Sequence, residues 1–141
     1  MHDHEMQSRP GARCRRASAR LAFLALVLMG PARAQTVEDG SDKAIGPADT
    51  ARVLALIRQD LDSPDAKVTQ LRRSGASHVC GSVNVKNRDG LYTGERGFVV
   101  DLPSGTFGRV PDGPELLSPR AAGFAGKEAI RQSYFRLCLD D

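Results

Sequence analysis

The chain has 141 residues, of which 26% are charged and 5% aromatic, with 20 Lys and Arg against 17 Asp and Glu. That length allows one domain, and its positive charge is concentrated at one end. Six of the basic residues and two of the acidic ones precede Gln35, leaving 14 against 15 in the remainder. A near-neutral remainder lacks the basic face that a phosphate backbone requires, which excludes nucleic acid as a partner.

The first 34 residues combine a basic head (Arg9 to Arg20), the apolar run "LAFLALVLMG" (Leu21 to Gly30) and Ala32-Arg33-Ala34. Charged head, apolar run and A-x-A site are the three parts of a cleavable secretory signal peptide, with cleavage expected after Ala34. A spanning helix needs roughly 20 apolar residues, so no membrane anchor is expected to survive cleavage. Cys14 precedes the apolar run, where a lipid-attachment cysteine would follow it. The Arg15-Arg16 pair is not followed by the hydrophobic pair of a twin-arginine signal, so Sec-type export to the periplasm or cell exterior is expected. Cleavage removes His2, His4 and Cys14, and "MHDH" is therefore not read as a metal site.

Residues 35–46 are polar and aperiodic and read as a disordered leader. Pro47 suits the first position of a helix. Val53, Leu54, Ile57 and Leu61 then form one apolar stripe, and Pro64 stops the ladder. "KVTQLRR" (Lys67 to Arg73) is a first strand. In "HVCGSVNVK" (His78 to Lys86), Val79, Gly81, Val83 and Val85 share one face, and His78, Cys80, Ser82 and Asn84 the other. Asp89-Gly90 is a hairpin signal, and "ERGFVVDL" (Glu95 to Leu102) is the return strand. After a turn at Pro103–Gly105, "TFGRV" makes a short fourth strand. Pro111 to Gly126 holds three prolines and three glycines and reads as a long loop. Lys127 to Cys138 closes the chain as a helix, with Ile130, Tyr134 or Phe135, and Leu137 or Cys138 inward. The expected architecture is a single α+β domain over residues 47–141. It has three to four antiparallel strands, an N-terminal and a C-terminal helix on one face of the sheet, and one disulfide.

Two cysteines remain after cleavage, and in an oxidising compartment Cys80 and Cys138 are expected to pair. Closing so long a loop is worth about 4 kcal/mol in the chain-entropy description. Alternation points Cys80 away from the valine face. Either Gly81 marks a bulge that re-aims the cysteine, or both faces of the sheet are covered.

His78 and Cys80 share a strand face, as a Cys-His nucleophile would, but a nucleophilic thiolate must be free of a disulfide. One histidine and a bonded cysteine pair do not build a transition-metal shell. Asp62 and Asp65 lack the alternating oxygens of a calcium loop. "GERG" (Gly94 to Gly97) enters a strand and not the helix N-terminus that a phosphate cradle uses. No metal and no cofactor is expected. The candidate binding hairpin is Asn84, Asn87, Arg88, Asp89, Tyr92 and Glu95. The asparagines bond nearby backbone, Tyr92 covers the turn, and Arg88, Asp89 and Glu95 point outward.

Cys80, Gly81, Val83, Asn84, Lys86, Asn87, Gly90, Tyr92, Gly94 and Phe98 together resemble the signature of small secreted proteobacterial proteins of unknown function. The chain departs from that pattern at Ser82, Asp89 and Glu95. The resemblance implies secretion and a shared fold, and no activity. The resulting expectation is an exported, non-catalytic binding module whose hairpin meets a protein or a cell-envelope component. Its rivals are an inhibitor of a periplasmic or secreted hydrolase and a cell-envelope enzyme.

Overall fold

The computed structural model describes residues 35–140; the expected signal peptide lies outside the described residues. In chain order it contains strand β1 (Thr36–Val37), a 3-10 turn (Ser41–Ala44) and helix α1 (Pro47–Leu61). Strands β2 (Lys67–Ser74), β3 (His78–Lys86), β4 (Tyr92–Asp101) and β5 (Thr106–Arg109) follow. A second 3-10 turn (Gly113–Leu116) then leads to helix α2 (Phe124–Tyr134), which continues as a π-helical turn (Phe135–Leu139). The fold is α+β, but its sheet has five strands in the order β1-β2-β3-β4-β5, where three or four were expected. It is also mixed: β1 runs parallel to β2, and the other pairs are antiparallel.

The alternation of β3 divides the core in two. Val79 and Val83 join Val68, Leu71, Phe98 and Val100 beneath Val53 and Ile57 of α1. Cys80 and Val99 face the other way, beneath Tyr134, Leu137 and Cys138. The two helices therefore lie on opposite faces of the sheet, correcting the expectation that they share one. β3 pairs with β4 in unbroken register from His78 to Asn84, so Gly81 is not a bulge on that side. It has a packing role instead. A Cβ at Gly81 would stand 2.6 Å from the Phe98 ring, and one at Gly97 would stand 2.2 Å from Tyr134. Bare backbone at these positions lets an aromatic ring settle onto each face.

The leader is the second correction. Residues 35–46 hold β1 and a 3-10 turn, with Gln35 and Ile45 buried. Their order comes from an irregularity that local sequence does not reveal. Between Thr69 and Arg72 the register of β2 shifts by one residue against β3, and Gln70 takes φ 56°. A bulge of this kind leaves amides out of the ladder. Asp39 Oδ2 accepts the Gln70 N–H at 2.7 Å, and Ser41 Oγ accepts that of Leu71 at 2.8 Å. The Ser41 hydroxyl also donates to Asp39 Oδ1 at 2.6 Å. That bond, followed by the Gln70 amide, holds the Asp39 carboxyl below its usual range. A polar, aperiodic segment is thus tied down by backbone groups some 30 residues away.

Candidate functional site

The hairpin joining β3 to β4 is built from its asparagines. Asn87 and Leu91 close a three-residue loop through the Asn87 N–H to Leu91 carbonyl bond at 2.8 Å. Asn87 Oδ1 accepts the N–H groups of Asp89 and Leu91 at 3.0 and 2.9 Å. Gly90 sits at φ 77°, the left-handed geometry that a three-residue hairpin loop requires of its last residue. One step down the ladder, the register shifts again between Asn84 and Lys86. There Gly94, at φ 103°, donates its N–H to Asn84 Oδ1 at 3.0 Å. Each asparagine therefore serves the backbone beside a positive-φ glycine. The Asn, Gly and Tyr positions of the hairpin belong to one turn geometry.

Tyr92 reaches outside the hairpin. Its hydroxyl donates to the Asp65 carbonyl at 3.0 Å, and the ammonium groups of Lys67 and Lys86 lie 4.8 and 5.2 Å from its ring centroid. Lys86 also pairs with Asp65 at 3.3 Å. Cation–π contacts at such exposed sites are worth about 0.5–1 kcal/mol each, so Tyr92 moors the base of the hairpin to the segment before β2. Of the three charges expected to point outward, Arg88 and Asp89 sit exposed at the turn. Glu95, exposed as well, lies lower on the strand and accepts the Thr69 hydroxyl at 3.2 Å. The apolar residue at the tip is Leu91, 65% exposed. The hairpin signal at Asp89-Gly90 did not single it out; recognising a three-residue loop would have placed it just outside the ladder.

A second site lies on the α2 face. A groove of about 350 Å³ opens between α2 and strands β4 and β5, with His78 and Asp101 on the sheet side and Ser133 and Arg136 on the helix side. Val99, Ile130 and Leu137 line it as well. His78 and Asp101 are cross-strand partners, an arrangement invisible to residue spacing. Their side chains have neighbours of their own: His78 Nδ1 lies 3.1 Å from the Ser77 hydroxyl, and Asp101 Oδ2 accepts that of Ser104 at 2.8 Å. Cys80, two residues from His78, is bonded to Cys138 with a Cα–Cα distance of 5.8 Å, so the Cys-His pair has no free thiol.

A third polar cluster serves the fold. Arg96 pairs with Asp112 and, at 3.7 Å, with Glu115, which also meets Lys127 at 2.7 Å. The hydrogen bond from Lys127, followed by one from the Asp112 amide, lowers the Glu115 pKa. Burial, followed by the neighbouring Arg96 charge, lowers that of Arg109. These ties anchor the Gly113–Leu116 turn between sheet and α2.

Among the described residues no group of three or more His, Cys, Asp or Glu could hold a metal ion. No helix there is long and apolar enough to cross a membrane. Comparison with family models, with curated proteins and with solved structures returns no match for this chain.

Proposed function

We propose that this is an exported binding module that works without catalysis, presenting the Asn84 to Gly94 hairpin to a protein or a cell-envelope component. The observation that carries the proposal is how the hairpin's polar groups are used. Both asparagine carbonyls and the Tyr92 hydroxyl are engaged with backbone, while Arg88, Asp89 and Leu91 stay exposed. A loop held in shape before contact loses little freedom on association, which favours binding. The secreted-family signature, on this proposal, encodes the loop's shape, and the tip residues determine what it meets.

To test the surface, partners are captured from periplasmic extract with the disulfide-bonded protein, and the affinity of each is then measured. Replacing Arg88, Asp89 and Leu91 by alanine is expected to weaken binding at least tenfold, about 1.4 kcal/mol. The melting temperature should scarcely move, since exposed substitutions usually cost within about 0.5 kcal/mol. A folded variant that binds as tightly as the parent overturns the hairpin as the working surface. A partner that proves to be a hydrolase blocked stoichiometrically by the loop would narrow the function to inhibition.

Export rests on the three-part pattern of residues 1–34 and accords with the Cys80–Cys138 disulfide. Intact mass of protein recovered from the periplasm is expected to correspond to a chain beginning at Gln35. A mass retaining Leu21 to Gly30 overturns it.

A further inference from the structure

The α2-side groove holds two opposite charges that do not neutralise each other. Asp101 lies at the end of β4 and Arg136 in the π-helical turn, and both line the same space. Among the described residues, neither takes part in an ion pair. Asp101 uses one carboxylate oxygen on Ser104, leaving the other without a partner among the described residues. Among the described residues His78 likewise commits only Nδ1, to Ser77. Val99, Ile130 and Leu137 line the same groove. Opposite charges facing one apolar-lined space can be engaged together by a ligand that carries both complementary charges.

From this placement we infer that the groove binds a small zwitterion with an apolar body, either an apolar amino acid or an apolar dipeptide. Its ammonium group faces Asp101, its carboxylate faces Arg136, and its side chain rests on Val99, Ile130 and Leu137. Arg136 suits the carboxylate because a guanidinium presents paired N–H donors in a fixed plane. The groove, about 350 Å³ in volume, lies at the small end of ligand pockets, which span roughly 300–1,000 Å³. The π-helical turn contributes to the arrangement. It carries Arg136 and Leu137 to the groove and the adjacent Cys138 to its disulfide with Cys80, and π-bulges in helices often mark functional positions. This site is separate from the hairpin and stands whether or not the hairpin binds anything.

The test uses protein recovered from the periplasm after expression of the full chain, titrated with four probes: leucine, leucyl-leucine, leucinamide and N-acetyl-leucine. Methyl resonances of Val99, Ile130 and Leu137 report on occupancy. Leucine or leucyl-leucine is expected to give saturable shifts with a dissociation constant of about 1 mM or tighter. The better of the two distinguishes a free amino acid from a short peptide as the source. Leucinamide, lacking the carboxylate, and N-acetyl-leucine, lacking the ammonium, are each expected to bind at least tenfold more weakly. Arg136→Gln and Asp101→Asn should weaken the preferred zwitterion by a similar factor while leaving the melting temperature in place. The inference is overturned if neither zwitterion saturates the groove, or if the two half-blocked probes bind as well as leucine. The probe comparison uses the parent protein, so it decides the matter even if a variant fails to fold.

Discussion

Replacing Phe98 by alanine is expected to lower stability by about 3–5 kcal/mol, the range for truncating a buried aromatic residue. Phe98 has no exposed surface, and its ring sits over Gly81 and 5.6 Å, centroid to centroid, from the ring of Phe107. A domain of this size holds about 5–15 kcal/mol in all, so the variant should lie near the edge of folding. Urea denaturation of parent and variant, with the slope checked for constancy, measures the loss. Gly81→Ala provides the control for mechanism. Alone it drives a methyl group into the Phe98 ring, which would lie 2.6 Å away, and overpacking of this kind costs about 1–3 kcal/mol. With the ring already gone, the methyl enters vacated space, so the double variant should lose clearly less than the sum of the two. Strict additivity would show that the ring-on-glycine contact has no energetic consequence.

Removing the disulfide is the second large effect. Replacing Cys80 and Cys138 together by alanine is expected to cost about 2–5 kcal/mol, as loss of a native bridge does in small secreted domains. Both sulfurs are buried, and the bond joins the centre of the sheet to the last turn of the chain. Around it the Ser74 hydroxyl donates to the Leu137 carbonyl, and Tyr134 rests on Gly97. Loss should therefore appear first at the C-terminal turn. Amide exchange at residues 134–139 should accelerate before that of β3 and β4, because a helix end held by few contacts opens locally at lower cost than a central strand. Peptide mapping without reductant should find the two cysteines joined in the parent. A free thiol at either position, or a variant with the parent's urea midpoint, would refute this account.

Several elements were legible because they answer to local rules. Pro47, the stripe of Val53 and Ile57, and the alternation of β3 each describe one turn or one pleat, and α1 and β3 occupy the predicted ranges. The asparagine side chains of the hairpin bond nearby backbone, as short polar side chains in turns do, with partners two to ten residues away. The open choice at Cys80 was resolved by the second helix layer. Alternation described both faces of β3 correctly, and only the position of α2 showed that both were covered.

What the sequence by itself determined about this protein is periodic or adjacent: helix and strand segments, the hairpin signal at Asp89-Gly90, and one cysteine pair left to bond once the first 34 residues are set aside. The tertiary structure decided what depends on distant groups meeting. β1 exists because Thr36 and Val37 find the free edge of β2, and the leader is ordered because Asp39 and Ser41 meet stray amides at Gln70 and Leu71. The α2 groove arises in the same way, from the cross-strand register of His78 with Asp101 and the placement of Arg136 opposite them. Residue spacing encodes none of these meetings. Backbone hydrogen bonds and packed side chains are indifferent to separation along the chain, so a polar segment with no period of its own is ordered by the donors it meets.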